Sequence, residues 1–257
     1  KAYWCSSGGN RVTTRFDELQ RQIRAVEFLR LMKELYSYQQ LSEITGIPIT
    51  VLNRYVKGHI LPSPERAEEL IEKLERSYNI TEHVLKKTKF TGEGFLDNTQ
   101  LLSDTLLLRI AANHIVRRSA GRRVSKVLTV AVDGIPLAVH VANILGVPVI
   151  YAKKEKEVGV ESFLEESFTV RRAGLRISLY LPKSLLDKRD SVLIVDDVVR
   201  SGEQLRALVN LVKKANAEIA GIFVLISFGD RWAKDLEVPP SCPVGAIVTL
   251  SESPEST

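Results

Sequence analysis

The chain has 257 residues, 44% hydrophobic and 26% charged, which suits one large or two ordinary globular domains with a sizeable core. No apolar run approaches the ~18 residues a bilayer span needs, which excludes an integral helical membrane protein. The net charge of +5 sits mostly at one end: residues 1–90 carry 15 Lys and Arg against 11 Asp and Glu, and residues 91–257 carry 21 against 20. A polyanion partner is therefore expected at the N-terminal end.

In chain order, KAYWCSSGGN (1–10) lacks an apolar core of signal-peptide length and reads as a flexible lead-in or a cloning remnant. Residues 15–35 place Leu19, Ile23, Val26, Leu29, Leu31 and Leu35 near helical spacing, which predicts an amphipathic helix facing a core. Shorter helical patterns follow at 39–45 and 50–57, parted by Gly46-Ile47-Pro48. A further helix opens with Ser63 as N-cap and Pro64 at its first position. These segments predict a compact all-α domain over 11–80.

Residues 80–104 read as a connector holding Thr91, Gly92 and Gly94, with a short strand or a swapped arm both open; the linker is set at 81–102. Beyond it, strand-length apolar runs appear at 127–132, 147–152, 175–181, 192–195, 219–227 and 245–250, with helical stretches at 103–119, 135–145 and 203–215. Runs apolar on both faces and alternating with helices predict an α/β domain over 103–257, built on a mostly parallel sheet covered on both sides. The tail ESPEST reads as disordered. Cys5 and Cys242 lie near opposite ends, match no metal spacing and point to a reduced, cytoplasmic protein.

The stretch VLIVDDVVRSGEQ (192–204) ends a buried strand on two acids and follows them with small loop residues. In open α/β sheets ligands bind at the carboxyl ends of strands. Asp196 and Asp197 suit vicinal hydroxyls or a hydrated Mg²⁺, and Gly202 permits positive φ. The backbone N–H groups of Arg200, Ser201, Gly202, Glu203 and Gln204 can converge on an anion at a helix N-terminus. A diol site beside a phosphate site describes a ribose 5-phosphate. A solvated strand end or the Mg²⁺ site of another α/β protein is the plainer alternative.

This stretch resembles the phosphoribosyl-pyrophosphate motif of type I phosphoribosyltransferases. The resemblance implies that Asp196 and Asp197 hold ribose hydroxyls, that 200–204 cradle the 5-phosphate, and that Mg²⁺ accompanies phosphoribosyl pyrophosphate. Upstream, VLTVAVDGIPLAVHVANILGVPVIYAKKEKEVG (127–159) resembles orotate phosphoribosyltransferases. Asp133 and Gly134 then fall on the pyrophosphate loop, Lys153, Lys154 and Lys156 on the basic loop, and Lys156 on the catalytic lysine. Arg200, Glu203 and Gln204 stand where the family carries hydroxyl residues, and Val158 where orotate enzymes carry His. Such changes spare binding more than turnover, since transfer needs several charges placed at once. Phe228 and Trp232 either flank a base or pack in the core.

In residues 38–57, Leu41, Ile44, Ile47, Val51, Leu52 and Val56 would pin two short helices together, leaving Gln39, Gln40, Thr50, Asn53, Arg54 and Lys57 on an outer face. Asn and Gln pair with adenine edges, Arg with guanine and Lys with phosphates. With the helix that follows, the segment resembles Cro/repressor-type helix-turn-helix domains, which implies salt-dependent binding to double-stranded DNA; a helical interaction module is the alternative. The whole layout resembles archaeal phosphoribosyltransferase-like transcription regulators. It implies a homodimer that senses phosphoribosyl pyrophosphate or a nucleotide. Ligand would neutralise Lys153, Lys154 and Arg200, order the 153–175 loop and change the spacing of paired DNA-binding domains. An active phosphoribosyltransferase with an accessory helical domain is the second reading.

Overall fold

The computed structural model describes residues 14–91, 96–170 and 174–251, so the lead-in, Cys5, Gly92, Gly94 and the tail ESPEST lie outside the described residues. The chain divides between His83 and Val84 into two compact units.

The N-terminal unit is helical: α1 (Arg15–Lys33), α2 (Tyr38–Thr45), α3 (Ile49–Val56) and α4 (Pro64–Ser77), with α5 (Ile80–Lys87) spanning the division. Local chemistry sets the boundaries. Ser37 and Gln40 form a reciprocal capping box at the start of α2, and Gly46, at φ 73°, ends it in the left-handed region. Ser63 accepts from the Arg66 N–H at the start of α4, with Pro64 in the first turn, as the sequence predicts. Lys73 of α4 donates to the Thr45 carbonyl at 2.9 Å, satisfying a carbonyl left open at the C-terminal end of α2. Leu29, Met32, Leu41, Leu52, Leu70 and Leu74 are fully buried.

One expectation is corrected in α1. Val26, Leu29 and Leu31 are buried, but Leu19, Ile23 and Leu35 are 39%, 47% and 37% exposed. The buried stripe begins only at Ala25 and continues through Phe28, Leu29 and Met32, an i, i+3, i+4, i+7 set.

The C-terminal unit takes in the connector from Val84 onward, and its described residues include paired strands. β1 (Lys89–Phe90) pairs antiparallel with β2 (Leu96–Asp97), and α6 (Thr99–Leu102) and α7 (Thr105–Arg118) follow. Then come β3 (Lys126–Val130), α8 (Ile135–Leu145), β4 (Val149–Ala152), β5 (Phe163–Val170), β6 (Leu175–Pro182), β7 (Ser191–Val199), α9 (Glu203–Lys214), β8 (Glu218–Phe228), α10 (Arg231–Lys234) and β9 (Val244–Leu250). The main sheet has five parallel strands in the order β4-β3-β7-β8-β9, flanked by helices as the α/β reading expects. β7 and β8 are buried along nearly their whole length, the pattern of central strands covered on both faces.

Two sequence expectations are corrected here. The 175–181 run does not join the parallel sheet: β6 pairs antiparallel with β5, from Phe163↔Pro182 to Val170↔Leu175. Parallel neighbours need a long crossover, and the few residues between β5 and β6 allow only a hairpin. The 153–175 segment is therefore not a simple loop. Lys153 bridges Tyr180, and Lys214 of α9 pairs with Glu166 at 2.8 Å.

Candidate functional site

The strand order sets the place of the site. β3 lies beside β7, yet the chain leaves β3 for β4 on one flank and β7 for β8 on the other. That reversal opens a crevice at the carboxyl ends of the two strands. The loop after β3, with its cis Ala131–Val132 peptide, and the end of β7 line it.

The strand was expected to end on the acids; it runs on past them to Val199. β8 is 11 residues long and keeps pairing past them, Asp196 with Val224, Val198 with Ile226 and Val199 with Ser227. Successive strand residues leave on opposite sides, and the two carboxylates have different partners accordingly. Asp196 accepts from Gln204 Nε2 at 2.8 Å and from the Thr129 hydroxyl at 3.5 Å. Asp197 accepts from Asn98 Nδ2 at 2.6 Å. Exposure is 1% for Asp196 and 7% for Asp197. Burial, with the charge of Asp197 adding to it, pushes the Asp196 carboxyl well above the ordinary carboxylate range. Burial also raises Asp197, and the Asp133 charge contributes. The pair is buried electrostatic tension held by neutral donors, which ligand hydroxyls or a cation would relieve.

Gly134, the N-cap of α8, closes against Asp196 and Thr129. A Cβ there would lie 2.0 Å from Thr129 Oγ1 and 2.4 Å from Asp196 Oδ1, so only glycine fits. Gly202, the N-cap of α9, has φ +81°, and an added Cβ would stand 3.1 Å from Trp232 Cβ. Trp232 is buried under this turn and serves packing. Phe228 is 8% exposed; the Arg200 guanidinium lies 3.8 Å from its ring centroid, and Phe90 meets it edge-on at 6.3 Å.

The structure thus gathers Asp133, Gly134, Asp196, Asp197 and Gln204 at the crevice and sets Arg200, Ser201 and Gly202 in the turn after β7, with Glu203 at the first position of α9. Gln204 spends its carboxamide on Asp196. The lysines behave differently. Lys153 pairs with Glu157, Lys156 stands 3.4 Å from Glu165 and 4.8 Å from the Tyr180 ring centre, and Lys154 is exposed. Three contributors escaped the sequence reading. Thr129, a hydroxyl inside an apolar strand, was a visible signal; Asn98 and Phe90, in the connector, gave none.

In the N-terminal unit, Gln39, Gln40, Thr50, Arg54 and Lys57 are exposed and Asn53 is half-buried. Gln40 Oε1 is engaged by the Ser37 N–H at 2.8 Å, and Asn53 Oδ1 accepts from the Tyr38 hydroxyl at 3.3 Å. Thr50, Arg54 and Lys57 are the outward side chains best presented on or just after α3.

Residues 97–248 match the family model of the phosphoribosyl transferase domain. The chain belongs to that family. Residues 27–80 match a helix-turn-helix family model. The chain is 27% identical over 176 residues to a probable purine biosynthesis transcriptional regulator PurR of Streptococcus pneumoniae, covering 68% of this chain and 61% of that protein. It is 27% identical over 200 residues to the purine biosynthesis transcriptional repressor PurR of Bacillus subtilis, covering 78% and 67%. A xanthine phosphoribosyltransferase of Streptococcus agalactiae is 28% identical over 178 residues, 66% of this chain and 91% of the enzyme. Adenine phosphoribosyltransferase from Thermoanaerobacter pseudethanolicus shares the fold at a TM-score of 0.59 and 19% identity, over 66% of this chain and 99% of that one. Among the described residues no helix is long and apolar enough to cross a membrane.

Proposed function

We propose that the chain is a DNA-binding transcription regulator, acting in the cytoplasm as a homodimer, whose phosphoribosyltransferase-type unit binds phosphoribosyl pyrophosphate or a nucleotide as a signal. The observation that carries this reading is the presence of both family matches, 27–80 and 97–248, in one chain, together with its likeness to purine-biosynthesis regulators. Those regulators are longer than the matched region: the chain spans 61% of the first and 67% of the second.

In this reading Asp196 and Asp197 accept the ribose hydroxyls, and each new hydrogen bond stabilises the charged carboxylate that burial disfavours. The Arg200–Gln204 turn receives the 5-phosphate on its backbone N–H groups, and the Asp133–Gly134 loop meets the pyrophosphate. Lys153, Lys154 and Lys156 lie on the adjoining hairpin side, where ligand pyrophosphate would compete with Glu157 and Glu165 for them. Mg²⁺ fits as a companion of the ligand, because two buried carboxylates held by neutral donors would gain from a nearby cation. Asp196 and Asp197 are the residues that would face it, and it would supply charge neutralisation of the pyrophosphate. On the DNA side, Gln39, Gln40, Thr50, Asn53, Arg54 and Lys57 form the reading face, with Arg54 and Lys57 contributing most of the electrostatics.

Calorimetric titration of wild-type protein and Asp196→Ala/Asp197→Ala with phosphoribosyl pyrophosphate and Mg²⁺ tests the site. The variant should bind at least tenfold more weakly; equal affinity would mean that the acids do not hold the ligand. The xanthine phosphoribosyltransferase likeness and the intact acid pair favour a second reading, an active transferase. Pyrophosphate release with any one base from a panel would establish it.

A further inference from the structure

The turn after β7 carries an arginine whose position has a consequence for ligand choice. Val199 pairs with Ser227, so Arg200 and Phe228 are the next residues on two neighbouring strands at the carboxyl edge of the sheet. Gly202, locked against Trp232, fixes the path of the turn. The Arg200 guanidinium then lies 3.8 Å from the centre of the Phe228 ring, close enough for face-on stacking. Phe90 closes the ring from its edge, at 6.3 Å and an interplanar angle of 80°. Arg200 itself is exposed while Phe228 is 8% exposed, so the guanidinium covers a ring at the carboxyl edge of the sheet, on the strand beside β7 and four residues past Val224, the partner of Asp196.

A planar base attached to a ribose held at Asp196 and Asp197 needs an aromatic or apolar face to stack on, and Phe228 supplies an aromatic ring on the strand next to β7. We infer that Arg200 occupies that face in place of a base, so that the site selects a ribose 5-phosphate derivative carrying no base over a nucleoside monophosphate. The inference rests on the phosphoribosyl reading and narrows it. Stacking by Arg200 is worth about tenfold in binding, within the range of cation–π contacts at partly exposed sites. A base that enters must displace it, whereas a base-free ligand leaves it in place and gains its charge near the phosphate.

The test compares phosphoribosyl pyrophosphate with GMP and AMP by calorimetry, each with Mg²⁺, on wild-type protein, Arg200→Ala and Arg200→Ala/Phe228→Leu, with melting curves to verify folding. Wild-type protein should favour phosphoribosyl pyrophosphate by at least tenfold. Arg200→Ala should move that ratio toward the nucleotides by about tenfold, and the added Phe228→Leu should reverse the gain. A nucleotide preference in the wild type, or a ratio unchanged in Arg200→Ala, would overturn the inference while leaving the site itself standing. Wild-type protein that binds none of the three compounds would remove the phosphoribosyl reading and this inference with it. Should the double variant not fold, the Arg200→Ala ratio alone decides the matter.

Discussion

The two ends of the chain present charge in opposite ways. At the crevice, Asp196 and Asp197 are buried and held by Gln204, Thr129 and Asn98, with their carboxyls raised by desolvation. On α3 and its end, Arg54 and Lys57 stand in water. A buried charge is costly until a ligand satisfies it, so it makes a selective and preformed site. An exposed charge costs little and attracts any polyanion at a distance, with strong salt dependence. Small changes should therefore have large and specific effects in the first region and moderate, additive ones in the second.

The largest expected effect is at Gly134. Gly134→Ala drives a methyl into Thr129 Oγ1 and Asp196 Oδ1, and should weaken phosphoribosyl pyrophosphate binding by about a hundredfold, because displacement near 1 Å at a preorganised site costs that much. It should also destabilise the unit by about 1–3 kcal/mol through overpacking, measurable by urea unfolding. Wild-type affinity in this variant would show that the carboxylates tolerate displacement and that the site is not preorganised.

Asp196→Asn sharpens the contrast by separating stability from binding. The Gln204 carboxamide can flip to present its oxygen, so the ligand-free variant should gain on the order of 1 kcal/mol while losing ligand affinity. The sign of the pH dependence follows from the raised carboxyls. Their stabilising contribution is complete below the ordinary value of 3.8 and is lost as pH rises through the higher folded values. The advantage of the variant over wild type should therefore be absent in acid and grow with pH. A variant less stable than wild type at neutral pH would contradict the account of the buried pair.

For the helix-turn-helix region, the proposed role predicts that Arg54→Ala and Lys57→Ala each lower DNA affinity by about tenfold and reduce the salt slope by about one, without moving the melting temperature. An unchanged salt slope in both would favour a protein-interaction role for this unit. Smallest of all, Ser37→Ala should cost about 1 kcal/mol by removing the capping box of α2. A melting temperature identical to wild type would show that packing alone holds α2.

Much of this was legible in the sequence, for identifiable reasons. Ser63-Pro64 and Gly46 are local signals whose effect does not depend on distant residues, and they mark helix ends as expected. The acid pair followed by Gly202 is likewise a short-range pattern, and it led to the crevice. What stayed hidden depends on long-range pairing. β7 continues through its acids because β8 offers partners, and the partner of Asp197 is Asn98, 99 residues earlier in the chain. The hairpin of β5 and β6 was missed because FLEESFTV reads as a polar, half-exposed segment, and its buried Leu164 packs only once β6 and α9 are in place. The α1 stripe was misjudged for a related reason: periodicity gives a face but not where along the helix the core begins.

The central claim is that the buried acid pair and the helix-turn-helix serve one response. The most direct test measures retention of selected genomic DNA fragments at fixed salt, with and without phosphoribosyl pyrophosphate and Mg²⁺, for wild-type protein and Asp196→Asn/Asp197→Asn. The account predicts a change of at least tenfold in DNA affinity on adding ligand to the wild type, corresponding to about 1.4 kcal/mol of coupling, and none in the variant. DNA held equally well by the wild type at every ligand concentration would contradict it.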